Sequence, residues 1–210
     1  MIMNKIQFVT GLHGDEKLPI IALASINEEQ VVANTLALAK NVRFIEKDLN
    51  ASFGTSGMSY EERLAKKLVR RLDKNKLVID LHTNQSMNEA FVIVVDKKMI
   101  PFASTLGIPK IVFMKYNIKK GYSLIDYFAG VSVEVGKHFS FKSIKNTIRI
   151  VSNLNKPSVK RVTLYEVFGK IDKQGKYKNF IKCREGFIPL FAGKNSYNCY
   201  GLKARIIKQL

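Results

Sequence analysis

Apolar residues recur along the chain in two patterns, and these patterns predict alternating strands and helices. Short runs rich in Val, Ile and Phe, with few polar positions among them, are typical of strands buried on both faces. Such runs occupy residues 5–11, 76–82, 90–95, 109–114 and 131–136. A further apolar run, residues 30–34, is short enough to be either a strand or the end of a helix.

Helical periodicity separates these runs. In residues 59–74, leucines recur at every fourth position along one stripe and charged residues fill most of the others. Ser59, with Glu62 three residues later, predicts a capping box at the start of this helix. Weaker patterns predict three more helices, at residues 16–26, 96–107 and 139–155.

Apolar strands separated by helices predict an α/β fold with a mainly parallel mixed sheet and helices on both faces. Beyond residue 155 the pattern changes to strand and turn signals, at residues 161–171, 186–193 and 202–208. The sequence therefore predicts an α/β domain over residues 1–154 and a small C-terminal β subdomain over residues 155–210.

The charge is the unusual feature of the composition. The chain has 210 residues and a formal net charge of +18, and its lysines are spread along it rather than gathered in one tail. Basic surfaces attract nucleic acids, acidic membranes and anionic substrates. No aromatic nucleic-acid motif accompanies these lysines, so we expect a solvated basic surface rather than a nucleic-acid-binding one.

Other features of the sequence favour a soluble, cytoplasmic protein. No apolar run approaches the roughly 18 residues that a membrane-spanning helix needs, and the first residues lack a signal-peptide pattern. The two cysteines, Cys183 and Cys199, have neither metal-ligand spacing nor a disulfide framework. We therefore expect no membrane partner.

Polar residues that suit a metal follow three of the predicted strands. His13 and Glu16 come after the first strand, His82 closes the strand at 76–82, and Glu134 lies in the run at 131–136. Ligands of α/β sheets gather at the carboxyl ends of strands, and two His with one Glu form a common zinc set. A solvated turn explains a single His and Glu equally well. Asp80 is either a partner of this site or a strand-end turn residue.

Four segments in order carry a family resemblance. They are "GLHGDE", "RFIEKDLNASF", "VIDLHTN" and "VSVEVG", followed by "YEVFGKI" and "FAGKNSYNCYG" in the C-terminal part. The chain resembles the succinylglutamate desuccinylase/aspartoacylase family of zinc carboxypeptidase-like hydrolases. This resemblance implies one Zn²⁺ per chain and hydrolysis of an amide bond.

The resemblance also implies a role for particular residues. His13, Glu16 and His82 match the zinc ligands of the family. Glu134 matches the carboxylate that takes a proton from the attacking water and gives it to the leaving amine, and Arg43 matches the arginine that stabilises the oxyanion.

Two more residues match substrate-binding positions. Asn50 matches the residue that hydrogen-bonds a substrate carboxylate, and Tyr197 aligns with a substrate-binding tyrosine, although a packing role is as good an explanation for Tyr197. Asp48 is expected to hold its loop. Ala51 stands where the family has an arginine that grips the substrate's free carboxylate, and the segment before Glu134 lacks the arginine that aspartoacylases use for the second carboxylate. The candidates to replace one of these cations are Lys47, Lys119 and Lys120.

From these residues we expect a zinc-dependent amidohydrolase that cleaves a linear amide in a small N-acyl amino acid. The alternative within enzymes is a zinc carboxypeptidase or peptide amidase that acts on short peptides. The alternative outside enzymes is a basic nucleic-acid-binding protein on a retired hydrolase fold. His138 and Cys199 could line the cavity, but we expect an exposed loop histidine and a small buried packing cysteine instead. The oligomeric state is left open.

Overall fold

A computed structural model describes residues 5–155, 161–193 and 199–209. Within these residues the chain forms nine strands and six α-helices. The strands are β1 (Ile6–Thr10), β2 (Gln30–Val32), β3 (Leu77–Asn84), β4 (Phe91–Val94), β5 (Lys110–Phe113), β6 (Gly130–Lys137), β7 (Thr163–Lys170), β8 (Ile188–Leu190) and β9 (Leu202–Gln209). The helices are α1 (Leu18–Ser25), α2 (Thr35–Lys40), α3 (Tyr60–Arg71), α4 (Ile100–Thr105), α5 (Leu124–Tyr127) and α6 (Phe141–Asn155).

The described strands form one sheet in the order β2-β1-β3-β6-β4-β5-β7-β9-β8. Neighbours are parallel from β2 to β6 and again from β4 to β7. β4 is antiparallel to β6, and β9 is antiparallel to both β7 and β8. The link from β3 to β4, residues 85–90, is too short for a parallel crossover, so β4 runs the other way. The sheet is mixed and mainly parallel, which confirms the predicted fold class.

Helices cover both faces of this sheet, because successive strand residues point to opposite sides. On one face Phe8, Ile79 and Val133 pack against α1, α4 and α6. On the other face α3 and α5 cover β1 and β3, while apolar residues of the C-terminal strands cover β4 and β5. Polar residues of β3 and β6 lie between these last two apolar clusters. The candidate site lies in this gap between the two clusters.

The start of α3 follows the predicted capping box. The Ser59 hydroxyl accepts from the Glu62 N–H over 3.3 Å, and the Ser59 N–H donates to Glu62 Oε2 over 3.0 Å. These two bonds satisfy backbone donors that the first turn of a helix leaves unpaired. In α1, Pro19 lies in the first turn, where its missing N–H costs no hydrogen bond.

The described C-terminal strands continue the main sheet. β7 pairs with β5 in parallel, and β9 and β8 extend the sheet from β7. The division into an α/β domain and a β subdomain near residue 155 stays a prediction. None of the helices in the described ranges is both long and apolar enough to cross a bilayer.

Candidate metal centre and its cavity

The loop between β1 and α1 carries the first two predicted ligands. At Gly14 a Cβ atom would lie 2.1 Å from the carbonyl carbon of Ala37, so no larger residue fits against α2. The Gly14 N–H also donates to the Arg43 carbonyl oxygen over 3.2 Å. This close packing holds the loop with His13 and Glu16 turned inward, and both side chains are buried.

His82, on β3, joins these two residues. The Glu16 carboxylate lies between the imidazoles: Oε1 is 2.8 Å from His13 Nδ1 and Oε2 is 2.9 Å from His82 Nδ1. One ligand atom from each residue lies within 4.8 Å of the other two. The Thr83 N–H also donates to Glu16 Oε2 over 3.0 Å. Three side chains from two distant parts of the sequence therefore point their ligand atoms at one another.

The second nitrogen of each imidazole contacts another carboxylate. His13 Nε2 is 2.9 Å from Asp48 Oδ1, and His82 Nε2 is 2.7 Å from Asp80 Oδ2. Asp80 also accepts from the Ser132 hydroxyl over 3.1 Å. The sequence left the place of Asp80 open, and the structure puts it against His82. These contacts fix each ring with Nδ1 toward Glu16.

The charges of this cluster reinforce one another. Burial alone would raise the pKa of the Glu16 carboxyl, but the His13 and His82 imidazoles outweigh burial and hold that pKa well below 4.5. Burial opposes the charged form of His82, yet the carboxylates of Asp80 and Glu16 outweigh it and raise the pKa of His82 well above 6.5. Glu16 is thus ionised at neutral pH.

The residues present fit a divalent metal. Two imidazoles and one carboxylate, with a further position left for water or substrate, are a donor set of catalytic zinc. In metal-binding histidines, the ring nitrogen that does not bind the metal characteristically hydrogen-bonds a carboxylate. His13 and His82 have such contacts with Asp48 and Asp80. The donors are buried and converge. The set suits zinc better than magnesium or calcium, which prefer oxygen ligands alone.

A single cavity contains this cluster together with the other predicted residues that the structure describes. Lining residues from the prediction are His13, Glu16, Arg43, Asn50, His82 and Glu134. Glu134 lies on β6 directly beside His82 of β3 in the sheet register. The Asn84 amide donates to Glu134 Oε2 over 3.0 Å and orients that carboxylate. Sequence reasoning did not identify Asn84, although it ends the "VIDLHTN" segment.

Two cations meet at Asp48 on one side of the cavity. Lys119 Nζ is 2.7 Å from Asp48 Oδ2, and an Arg43 terminal nitrogen is 3.6 Å from the same oxygen. The other Arg43 terminal nitrogen is 3.7 Å from Glu16 Oε1. Burial raises the pKa of Asp48, but His13 and these cations outweigh it, so the pKa lies far below 3.8. Lys119, one of three lysines proposed to replace a missing arginine, thus lines the cavity.

Hydrogen bonds to α3 hold the loop that carries Arg43, Asp48 and Asn50. Glu61 is buried, and its carboxylate accepts the backbone N–H groups of residues 45, 46 and 47 at 2.7–3.1 Å. Asp48 Oδ1 accepts the N–H of Asn50 over 2.9 Å, which agrees with its expected role in the loop. Asn50 Oδ1 accepts a backbone N–H of α5 over 3.0 Å, leaving its amide nitrogen on the cavity side, 3.4 Å from His82 Nε2.

The other residues considered from the sequence differ in their position relative to the cavity. Lys47 lies 2.6 Å from Glu62 Oε1 and does not line the cavity, and neither does Lys120. The expectation of an exposed His138 is wrong: this side chain is buried, with its Nδ1 2.7 Å from the Thr83 hydroxyl, and it supports the site from outside the cavity. Cys199 is buried and lines the cavity. Tyr197 lies outside the described residues.

Comparison with known sequences gives one family. Residues 3–156 match the family model described as the succinylglutamate desuccinylase/aspartoacylase catalytic domain. A probable aspartoacylase of Prochlorococcus marinus strain MIT 9215 is 26% identical over 165 residues, which are 65% of this chain and 55% of that protein. A second one, from strain MED4 of subspecies pastoris, is 26% identical over 182 residues, 73% of this chain and 62% of that protein. The chain thus spans 55–62% of these relatives' length.

Solved structures agree on the fold. Murine aminoacylase 3 superposes with a TM-score of 0.72 at 16% identity, covering 97% of this chain and 95% of that one. A succinylglutamate desuccinylase from Vibrio parahaemolyticus superposes with a TM-score of 0.70 at 14% identity, covering 97% of this chain and 82% of that one. At such low identity these likenesses establish the architecture alone.

Proposed function

Since the chain belongs to the succinylglutamate desuccinylase/aspartoacylase family, we propose that it is a zinc-dependent amidohydrolase that deacylates a small N-acyl amino acid. The observation that carries the proposal is the convergence of His13, Glu16 and His82, with Glu134 and Arg43 lining the same cavity. Each of these residue types suits one task of amide hydrolysis, and the tasks need a common centre.

His13, Glu16 and His82 would hold the zinc ion. When bound, zinc supplies Lewis acidity that polarises the substrate carbonyl and activates a water molecule. Asp48 and Asp80 keep the two imidazoles oriented through their Nε2 atoms.

Glu134 is the proton carrier in this proposal. Its carboxylate accepts a proton from the attacking water and passes that proton to the amide nitrogen, so that the C–N bond breaks into a carboxylic acid and a free amine. The hydrogen bond from Asn84 holds the Glu134 carboxylate in place beside the centre. A carboxylate beside the centre is suited to the task because it can both gain and release the proton within one turnover.

Arg43 and Asn50 act on the charges of the substrate. The Arg43 side chain is about a third exposed, and its guanidinium supports the assignment of oxyanion stabilisation because it is a cation held beside Glu16. The Asn50 amide nitrogen is available to donate to a substrate carboxylate, with Lys119 as the nearby point charge. Tyr197 remains a proposal from the sequence.

Glu134→Gln is the decisive variant for this function. Zinc-loaded wild type should hydrolyse N-acetyl amino acids, and the variant should lose at least about a hundredfold in kcat while it keeps its zinc. Glu29→Gln, the same change at an exposed position, is the matched control and should keep full activity. Equal activity in wild type and Glu134→Gln would contradict the proposal.

The same assay separates the alternatives. Turnover of short peptides in preference to N-acyl amino acids would favour a carboxypeptidase or peptide amidase. Absence of any hydrolysis, together with salt-sensitive binding to nucleic acid, would favour a binding protein on a retired hydrolase fold.

A further inference from the structure

The cavity extends beyond the metal centre across the sheet. Its polar lining comes from β3, β6 and several loops, including the segment after β5 that carries Lys119, whereas β4 and the C-terminal strands contribute mainly apolar side chains. Away from the metal centre the large apolar lining residues are Ile93, Val95, Met114, Ile118, Phe191 and Leu202, and α5 adds Ile125 to the cavity. None of them takes part in the chemistry proposed above, so this half of the cavity faces the part of the substrate beyond the scissile amide.

The sheet register shows where the lining changes character. Directly paired residues of neighbouring strands point to the same face. Asp80 pairs with Ser132, Ser132 with Ile93, Ile93 with Val112, and Val112 with Tyr165. This single row is polar up to Ser132 on β6 and becomes apolar at Ile93 on β4. Val112 and Tyr165 then belong to a buried cluster that also packs against Ile93.

Charge is confined to the polar half. Within the described lining, the cations are Arg43 and Lys119, which both reach Asp48, and the carboxylates are Glu16 and Glu134. The lining residues of β4, β5 and β9 that the structure describes carry no charge. A second carboxylate in that half would lose its hydration without gaining a partner, which is costly. An apolar group there would instead gain from its burial.

We propose that the cavity selects N-acyl amino acids with one carboxylate and one uncharged apolar group about the size of a leucine side chain. The carboxylate lies on the Asn50 and Lys119 side, and the apolar group contacts Ile93, Val95 and Met114. This inference rests on the proposed deacylase function and names its substrate class. It separates the chain from an enzyme for dicarboxylic substrates.

A kinetic comparison tests the selection. Zinc-loaded full chain is assayed with N-acetyl-L-leucine, with its isomer N-hexanoylglycine, and with N-acetyl-L-aspartate. The better of the first two should exceed N-acetyl-L-aspartate in kcat/KM by about ten- to hundredfold, the effect of burying one aliphatic group. Their order tells whether the apolar group is the side chain or the acyl chain. Preference for N-acetyl-L-aspartate would overturn the inference and leave the deacylase function standing.

Val95→Lys adds a cation to the apolar half. Val95 is half-buried and follows β4, so the lysine ammonium can stay hydrated. The variant should shift the kcat/KM ratio at least about tenfold toward N-acetyl-L-aspartate, and Ile181→Lys, a matched change at an exposed position outside the cavity, should keep the wild-type ratio. Ile118→Lys is the second variant if Val95→Lys does not fold. A folded lysine variant with an unchanged ratio would overturn the inference.

Binding without turnover separates this inference from the proposed function. Calorimetry on Glu134→Gln should give tighter binding of the preferred apolar substrate than of N-acetyl-L-aspartate, with a more negative heat-capacity change. If no substrate is hydrolysed but this order of binding holds, the deacylase function fails and the apolar selection stands. If N-acetyl-L-aspartate binds more tightly, the selection fails whatever the activity.

Discussion

Each imidazole of the candidate metal centre is held by its own aspartate. Asp48 comes from a loop and Asp80 from a strand, yet both contact an Nε2 atom at 2.7–2.9 Å and leave Nδ1 directed at Glu16. Such contacts fix the ring orientation and raise the basicity of the ligand nitrogen. If the centre holds zinc as proposed, its affinity should depend on these two aspartates, which are not ligands themselves.

Asp80→Asn tests this dependence. The amide keeps the size of the side chain but loses the charge that His82 contacts, so zinc affinity should fall about ten- to hundredfold. Competition with a chelator of known affinity measures the change. The matched control is Asp172→Asn on the surface, where the aspartate side chain is 75% exposed. Zinc affinity equal to that of wild type in Asp80→Asn would refute the positioning role.

Two adjacent lysines give a second test at the residue scale. Lys119 lines the cavity and contacts Asp48, whereas Lys120 is exposed and lies outside it. Lys119→Gln should raise KM for an N-acyl amino acid by about tenfold, because a charge-assisted contact is worth roughly 1.5–3 kcal/mol. Lys120→Gln should leave KM unchanged. Similar effects of the two variants on steady-state kinetics would argue against a substrate contact at Lys119.

The sequence predicted the metal cluster because its residues end strands, and strand ends of a parallel sheet meet at one edge. His13, Glu16, His82 and Glu134 needed only that rule and the family resemblance. Asn84 was missed, since its contact to Glu134 joins residues that are 50 positions apart, and asparagine has many other uses in turns. Contact pairs of this kind depend on the register between strands, which local patterns do not contain.

At the scale of elements, α3 supports the loop over the cavity with two adjacent glutamates. Glu61 accepts three backbone N–H groups of residues 45–47 and one amide hydrogen of Asn34, the N-cap of α2. Glu62 closes the capping box and contacts Lys47. The helix thus determines the path of the segment that presents Arg43.

Glu61→Gln should loosen that segment. In the variant, the amide NH₂ would face backbone N–H groups whose hydrogen bonds the carboxylate accepts in wild type. A buried polar group left without a partner costs about 1–3 kcal/mol. We expect hydrogen exchange to accelerate at the amides of residues 45–47 and kcat to fall as Arg43 loses its position. Glu29→Gln should change neither. Unaltered protection at these amides would show that Glu61 does not hold the loop.

The lowered pKa of Glu62 should make the stability of the folded chain depend on pH. Its contact with Lys47 and the hydrogen bonds at Ser59 lower the pKa of Glu62 from 4.5 to about 2. The unfolded chain therefore binds more protons between these values, so this contribution is complete above about pH 4.5 and is lost as pH falls toward 2. The difference in unfolding free energy between wild type and Glu62→Gln should be larger at pH 6 than at pH 2.5. Urea unfolding at the two pH values measures it, and an equal difference at both would be inconsistent with the lowered pKa.

The elements themselves were largely predictable. The strong amphipathic periodicity predicted α3, and the apolar runs predicted the central strands. The direction of β4 was not predictable, because an apolar run has the same pattern whichever way the strand runs. α5 was missed because its four residues, Leu124–Tyr127, are too few to show a helical period. The segment at 30–34 contains the short strand β2, and pairing with β1 decided between the two interpretations.

At the scale of the whole molecule, one sheet carries both halves of the cavity. The polar half rests on β1, β3 and β6, and the apolar half rests on β4, β5 and the C-terminal strands. That continuity could not be predicted from the sequence, since β5 and β7 pair across about fifty residues, as Ile111 does with Leu164. The missing arginines and the apolar half together favour substrates with a single carboxylate.

Zinc binding by His13, Glu16 and His82 is what the proposed hydrolysis depends on most. Elemental analysis of the purified chain, for wild type and His82→Ala side by side, tests it most directly. Wild type should contain close to one zinc per chain, and the variant, with its fold verified by circular dichroism, should contain little or none. Wild-type protein that carries no zinc and takes none up from a zinc-containing buffer would contradict zinc binding by these three residues.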